Sequence, residues 1–286
     1  MSGTIVIQFI QRAILQGTPL LFGSTGEIIT EKSGNLNLGI PGIMYIGSIS
    51  GVIGSFLYEK SLDNPADINP FLAVFIPLAC CLFGAGLMGL LYCFLTVTLR
   101  ANQNVTGLAM TTFGVGLGNF FGGSLIRLVG SNTGETYISV KTTSDIFRTP
   151  LPFAADLGAF GQAVLSYGFL TYLAIVIAIV AAVVLRRTRV GLQLRAVGEN
   201  AATADAVGIN VTRYKYVATV VGSMIAGLGG LYYIMDYIGG SWSNNAFGDR
   251  GWRLRWLSSL SGAPIWQSPE HFCSVRCTIC RSMWTD

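Results

Sequence analysis

Long apolar runs separated by short polar stretches set the pattern of this 286-residue chain. About 20 predominantly apolar residues are enough to cross the hydrocarbon core of a membrane as one helix. The pattern therefore predicts six membrane-spanning helices, at residues 10–28, 36–58, 71–99, 105–126, 165–185 and 216–238. Gln11, Arg12 and Gln16 interrupt the first of these, so a helix that lies at the interface or faces the bundle is the alternative there.

Small residues recur at helical spacing in three of the predicted spans. They are Gly47 and Gly51 in the second, Gly114, Gly118 and Gly122 in the fourth, and Gly222, Ala226 and Gly230 in the sixth. Such stripes let the backbones of neighbouring membrane helices approach closely. We therefore expect these three helices to cross their neighbours at short range.

The composition agrees with a membrane bundle. Hydrophobic residues make up 51% of the chain and charged residues only 11%, too few to build a water-facing surface of this size. The predicted fold class is an all-α polytopic membrane protein. In such a chain the net charge of +4 indicates topology rather than nucleic-acid binding.

The positions of Lys and Arg predict the orientation, because cytoplasmic loops are enriched in both. One side holds eight: Lys32, Arg100, Arg186, Arg187, Arg189, Arg195, Arg213 and Lys215. The other holds four: Lys60, Arg127, Lys141 and Arg148. The first side is predicted to be cytoplasmic, with the N-terminus outside and residues 127–161 forming an external loop. The start of the chain lacks the features of a cleaved signal peptide, so the first apolar segment is expected to remain.

Residues 26–44, between the first two spans, combine charges, glycines, Pro41 and two asparagines. Irregular backbone at membrane depth is tolerated only where protein buries it or where it lines a wet cavity. One interpretation is a broken helix end beside a translocation path, with Asn35 and Asn37 hydrogen-bonding a polar solute. The other is a cytoplasmic turn whose asparagines cap the next helix.

Residues 186–215 form a charged, alanine-rich interruption between two apolar runs. They contain no catalytic pair, no phosphate-binding glycine pattern and no metal-ligand spacing. Residues 199–207 predict a short helix, with Asn200 or Thr203 as its cap and Gly208 as its stop. A short helix flanked by basic residues is typical of a docking element. The alternative is a loop of topology anchors, which would explain Arg186, Arg187 and Arg189 but not the length and pattern of the rest.

The loop sequences TRVGLQLRAVGEN and ADAVGIN resemble the cytoplasmic coupling loop of ABC-importer permeases of the nucleoside and simple-sugar type. GEIITEKSGNLNLGIPGIM, ANQNVTGLAM and GDRGW resemble other signatures of that family, in the same order, over about residues 20–252. The resemblance implies a permease domain at residues 1–252 that is not itself an enzyme and needs no cofactor or metal. Pro41 departs from the pattern, because nucleoside-type members often carry an acidic residue there.

The resemblance also implies a location in the cell membrane and four partners: membrane lipid, a cytoplasmic ATPase, a second permease subunit and an extracytoplasmic substrate-binding lipoprotein. The residues it assigns to coupling are Arg195, Ala196, Val197, Gly198, Glu199, Asn200, Ala204 and Gly208. The candidate translocation path comprises Asn35, Asn37, Gly39, Gly42 and Asn104. A nucleoside is favoured over a sugar as the substrate on the resemblance alone.

Residues 253–286 differ from the rest of the chain: they hold three of the six cysteines and the single histidine, His271. The spacing of Cys273, Cys277 and Cys280 also occurs in iron–sulfur sites. However, 34 residues after a membrane bundle cannot supply the surrounding cage that such a site needs. The family pattern has about two more apolar spans here, and a shifted reading frame near Trp252 can encode such a stretch when codons are chosen freely. We therefore predict an aberrant, frameshifted tail.

Two other functions stay open at this stage. An ATP-independent channel or carrier predicts that the cytoplasmic loop is dispensable. An intramembrane enzyme or lipid-handling protein needs pairs of ionisable groups within the membrane. Arg12 and Asp236 come nearest to that requirement, and the sequence shows no evident partner for either.

Overall fold

The computed structural model describes residues 2–62, 68–133, 137–149 and 166–243. The tail at 253–286 lies outside the described residues. The helices are α1 (Ser2–Glu31), α2 (Ile40–Lys60), α3 (Pro70–Cys93), α4 (Gln103–Thr133), α5 (Lys141–Phe147), α6 (Phe169–Arg187), α7 (Arg189–Glu199), α8 (Ala201–Ala206) and α9 (Val211–Tyr232). Wider, π-helical turns extend α3 over Phe94–Thr98 and α9 over Tyr233–Ile238. Two short antiparallel strands, β1 (Ile138–Ser139) and β2 (Ser241–Trp242), pair with each other.

Each of the six predicted spans contains a helix, which confirms the all-α fold, although the fifth helix begins at Phe169 rather than at residue 165. In the described part of the chain, four helices are long and apolar enough to cross a membrane: α2, α3 with its extension, α6, and α9 with its extension. The other two, α1 and α4, are longer than all four but carry more polar residues. They lie along the bundle, α1 against α9 and α6, and α4 against α2.

Helix α9 is the centre of the bundle, since it packs on α1, α2 and α3. The predicted small-residue stripes form close crossings between α2 and α9 and between α2 and α4. A Cβ added at Gly47 would lie 2.8 Å from Cα of Gly227, and one added at Gly114 would lie 2.7 Å from Cα of Gly42. Side chains at these points would force the helices apart, so glycine permits the close crossings.

Sequence patterns misplaced some boundaries. The second predicted span begins at Ile40 rather than residue 36, because residues 36–39 are needed for the buried turn before it. The predicted external loop at 127–161 was wrong in part: α4 continues to Thr133, and β1 and α5 follow. Helix α5 is fixed to α2 by Glu59, whose Oε1 accepts hydrogen bonds from the amide and hydroxyl of Thr143 at 2.8 and 2.7 Å.

The connecting segments fall at two opposite ends of the bundle. The α1–α2 turn, the α3–α4 turn and the α7–α8 pair lie at one end, where Asn35 contacts Thr96 and Gly34 contacts Gly198. Helix α5 lies at the other end with the last turns of α2 and α9. This arrangement places Lys32 and Arg100 with the basic loop, as the count of basic residues predicts.

Candidate functional site

The segment between α6 and α9 folds as two short helices, each with a side-chain cap. The Thr188 hydroxyl accepts the amide of Gly191 at 3.1 Å to begin α7. Asn200 Oδ1 accepts the amide of Thr203 at 3.1 Å to begin α8. Gly208 follows α8 with φ of +89°, a left-handed conformation that glycine adopts without strain. The predicted short helix, its Asn200 cap and its glycine stop are therefore confirmed.

The α7–α8 pair has an inner and an outer face. Leu194, Val197 and Ala204 are buried against the bundle. The outer face exposes the polar and small residues Ala196, Glu199, Asn200, Ala202, Thr203, Asp205, Ala206 and Gly208. Val207 is the most exposed large hydrophobic residue described, with 77% of its surface accessible. A surface of this kind suits contact with another protein better than contact with lipid.

The predicted coupling residues divide between these faces. Val197 and Ala204 hold the pair to the bundle, while Ala196, Glu199, Asn200 and Gly208 are exposed. Arg195 is half-buried, and its Nε has no hydrogen-bond partner among the residues that the structure describes. Beside α8, an open cleft of about 640 Å³ is lined by residues of α8 and of the start of α9, including Ala202, Asp205 and Thr212.

Gly198 is the point at which α7 meets the α1–α2 turn. A Cβ added there would collide with the carbonyl oxygen of Lys32 and lie 3.1 Å from the amide nitrogen of Gly34. Gly34 itself has φ of +80°, and its own added Cβ would lie 3.2 Å from Cα of Gly198. Both glycines are needed for this contact, because any side chain would separate the two backbones.

Asn35 is buried directly beneath that contact and connects four parts of the bundle. Its Nδ2 donates to the hydroxyls of Thr96 and Thr219, each at 3.4 Å. Its Oδ1 accepts from Nε2 of Gln103 at 3.1 Å. The α1–α2 turn is thereby joined to the extension of α3, to α9 and to the start of α4.

Asn37 is buried next to Glu27 of α1. The Asn37 amide donates to Oε1 of Glu27 at 3.1 Å, and Asn37 Oδ1 accepts the amide of Gly39 at 2.9 Å. This last bond forms a turn directly before α2. The prediction that an asparagine caps α2 is wrong, because the N-cap residue is Gly39 and no described side chain accepts a capping hydrogen bond there. Yet Asn37 Nδ2 and Glu27 Oε2 are both buried without a partner within the described part of the chain. A donor and an acceptor left unpaired so close together are unusual in a protein interior.

The remaining candidate path residues differ in their surroundings. Gly39 and Gly42 are buried against α4, where added Cβ atoms would meet the backbone of Gly107 and Met110. Asn104 is exposed in the first turn of α4, outside this buried cluster. The structure thus brings together four of the five residues, Asn104 being the exception.

The sequence patterns did not identify several polar residues that surround the turn containing Asn35 and Asn37: Glu27, Tyr92, Thr96, Gln103 and Thr219. The Tyr92 hydroxyl donates to the carbonyl oxygen of Leu36. Glu27 could have been identified from the sequence, because a carboxylate in the last turns of an apolar helix indicates a buried polar partner or a functional site. Thr96 and Thr219 could not have been identified in this way, because threonine is common in membrane helices.

At the opposite end of the bundle, Asp236 is buried in the extension of α9 and has a basic neighbour after all. Arg148 Nε donates to the carbonyl oxygen of Asp236 at 2.6 Å, and its Nη2 donates to that of Tyr237 at 3.2 Å. The guanidinium holds the end of α9 rather than forming a catalytic pair. Within the described residues, no group of His, Cys, Asp and Glu side chains could hold a metal ion.

Comparison with known proteins agrees with the architecture that the chain is a polytopic membrane protein. Residues 9–252 match the family described as branched-chain amino acid transport system / permease component. The chain is 31% identical to a nucleoside ABC transporter permease of Lactococcus lactis subsp. cremoris, over 83% of this chain and 70% of the relative. It is 28% identical to a guanosine ABC transporter permease of Bacillus subtilis, over 77% of this chain and 65% of the relative.

A putative glucose ABC transporter permease of Haloferax volcanii is 28% identical, over 82% of this chain and 64% of that protein. The chain thus spans about two thirds of the length of the relatives it matches. No solved structure matches it. The family match and the four apolar helices identify a multi-pass protein of the plasma membrane.

Proposed function

We propose that this chain, which belongs to the family of permease components of branched-chain amino acid transport systems, is the permease subunit of an ATP-driven nucleoside importer. The similarity to permeases named for nucleosides and guanosine supports the substrate class. A simple sugar is the second candidate, because one relative is named for glucose. In this proposal a separate cytoplasmic subunit hydrolyses ATP. A second permease subunit and an external binding protein complete the importer.

The observation that carries the proposal is the α7–α8 pair. Its outer face exposes Glu199, Asn200 and Val207, at the end of the bundle where the basic residues are concentrated, while its inner face is fixed to the bundle by Val197 and Ala204. This is the geometry that a docking element needs: a face for the ATPase and rigid contacts to the membrane helices. Closure of the ATPase dimer would then move α7 and α8 as one body and change the side on which the path opens.

A photo-crosslinking amino acid at position 199 or 207 tests the docking surface. The same amino acid at Lys60, exposed at the opposite end of the bundle, serves as the matched control. We expect crosslinks to the ATPase subunit from positions 199 and 207 and none from position 60. Equal crosslinking from all three positions, or none from the first two in an assembled complex, contradicts the assignment.

We further propose that residues 253–286 are a shifted-frame translation. The family match ends at residue 252, which is where the composition changes. Resequencing the codons of Gly251 and Trp252 decides the matter. Detection of the peptide from Cys273 to Arg281 in the purified protein, together with an intact frame, overturns it.

A further inference from the structure

A large apolar groove lies on the outside of the bundle, between α6 and α9, at the end where α7 begins. Its volume is about 700 Å³. One wall consists of Val176, Val180 and Val184, four residues apart on α6, and the other contains Val217 and Val221 of α9. Residues four apart lie on one face of a helix, so each wall is a continuous aliphatic strip along the membrane-spanning part of its helix.

The valines of both walls are substantially exposed. Val180 has 53% of its surface accessible and Val217 has 56%. The groove ends against α7, which contributes Val190 and Leu194. The shape is that of an elongated trough that runs along two membrane helices and is blocked at the cytoplasmic surface.

The polar part of the lining is confined to that surface. Asn210, Arg213 and Tyr214 line the groove there, and they belong to the cap and first turn of α9. Arg213 has no ion-pair partner among the described residues. Its position in the first turn is unfavourable for a cation, because the N-terminal end of a helix carries partial positive charge.

Basic residues near the groove add to the positive charge at this end of α9. Arg186 and Arg187 form the last turn of α6, and Arg189 begins α7. The first turn of α9 contains no acidic residue that could offset them. An anion at Arg213 would therefore be favoured by the guanidinium, by the helix end and by the neighbouring bases.

We propose that this groove binds a phospholipid with an anionic headgroup from the cytoplasmic leaflet. The phosphate contacts Arg213 and one acyl chain lies along the valine walls. A second copy of the chain or another membrane helix could cover the aliphatic walls, whereas a phospholipid supplies both an acyl chain for those walls and a negative charge for Arg213. Charge complementarity therefore favours the lipid, and the site needs no contribution from the transport substrate.

The test is native mass spectrometry of the purified, delipidated chain titrated with phosphatidylglycerol or phosphatidylcholine, whose acyl chains are identical. One basic residue near a membrane surface strengthens binding of an anionic lipid about fivefold, so we expect at least that preference for phosphatidylglycerol. Arg213→Ala should abolish the preference and Arg213→Lys should keep most of it. Arg127→Ala, which removes an exposed arginine outside the groove, should change nothing.

A second pair of variants tests the acyl chain. Val217→Trp fills the groove and should reduce binding of both lipids about tenfold, whereas Val105→Trp, at an exposed position on α4, should not. Melting temperatures within a few degrees of wild type confirm that the variants are folded. Equal binding of the two lipids by wild type overturns the proposal, as does equal behaviour of Val217→Trp and Val105→Trp. Loss of bound lipid on assembly of the whole importer also overturns it, because the groove would then be a protein interface.

Discussion

Gly198 of α7 and Gly34 of the α1–α2 turn are in direct backbone contact, and neither position has room for a side chain. The contact links the proposed docking element to the turn that holds Asn35. Asn35 in turn bonds to Thr96 and Thr219. In the proposed coupling, a displacement of α7 would pass through this contact to the extension of α3 and to α9.

Gly198→Ala should weaken this link. The added methyl group would collide with the carbonyl oxygen of Lys32, which is backbone and cannot rotate away. Overpacking of this kind costs about 1–3 kcal/mol. We expect ATP-driven uptake and substrate-stimulated ATPase activity to fall about tenfold in reconstituted importer, while the ATPase subunit stays bound.

Gly116→Ala is the matched control, since Gly116 is also helical and an added Cβ there meets nothing within 4 Å. Both changes raise helix propensity by up to about 1 kcal/mol. Uptake by Gly116→Ala should equal that of wild type. If Gly198→Ala behaves like Gly116→Ala, the backbone contact does not transmit movement.

Glu27 gives a prediction about buried charge. Its carboxylate accepts one hydrogen bond, from the Asn37 amide, and its other oxygen is buried and unpartnered among the described residues. Glu27→Gln keeps an acceptor for that amide and replaces a carboxyl group that is costly to ionise when buried, so the melting temperature should stay the same or rise. Glu27→Ala leaves the amide unpaired and should cost about 1–3 kcal/mol. A glutamine variant no more stable than the alanine variant would show that the negative charge itself has a partner.

Gly230→Ala should destabilise the bundle. An added Cβ would clash with the backbone of α2 at Met44, including its carbonyl carbon at 2.7 Å. The expected loss is about 1–3 kcal/mol, measured as a lower melting temperature in detergent. Gly17→Ala, at a helical position with open space, should be neutral or slightly stabilising. Equal melting temperatures for both variants would mean that α9 and α2 cross less closely than described.

The sequence predicts most of the bundle because its signals are local. Apolar runs locate the six long helices, and the stripe from Gly114 to Gly122 predicts a close crossing that α2 supplies. Asn200 and Gly208 mark the start and stop of a helix by chemistry that acts within four residues. These features need no knowledge of which helices are neighbours.

The remainder depends on contacts between distant residues. Asn35 and Thr219 are 184 residues apart, and no local pattern shows that they meet. The end of α4 was misplaced because polar residues near position 127 resemble those of a loop, whereas the helix continues to Thr133. Asn37 admitted two interpretations for the same reason: its partners Glu27 and Gly39 are defined only once α1 lies beside the turn.

The central claim is that α7 and α8 couple this permease to an ATPase, and nucleoside uptake by proteoliposomes tests it most directly. The vesicles contain the chain with its ATPase, second permease and binding-protein subunits, with ATP inside or absent. Wild type and Lys141→Ala, an exposed change at the opposite end of the bundle, should show ATP-dependent uptake. ATP-dependent uptake by the double variant Arg195→Ala/Glu199→Ala should be about tenfold lower, and stimulation of the ATPase should be lost. Unchanged, ATP-independent uptake by the double variant would contradict the coupling role and indicate a channel or carrier.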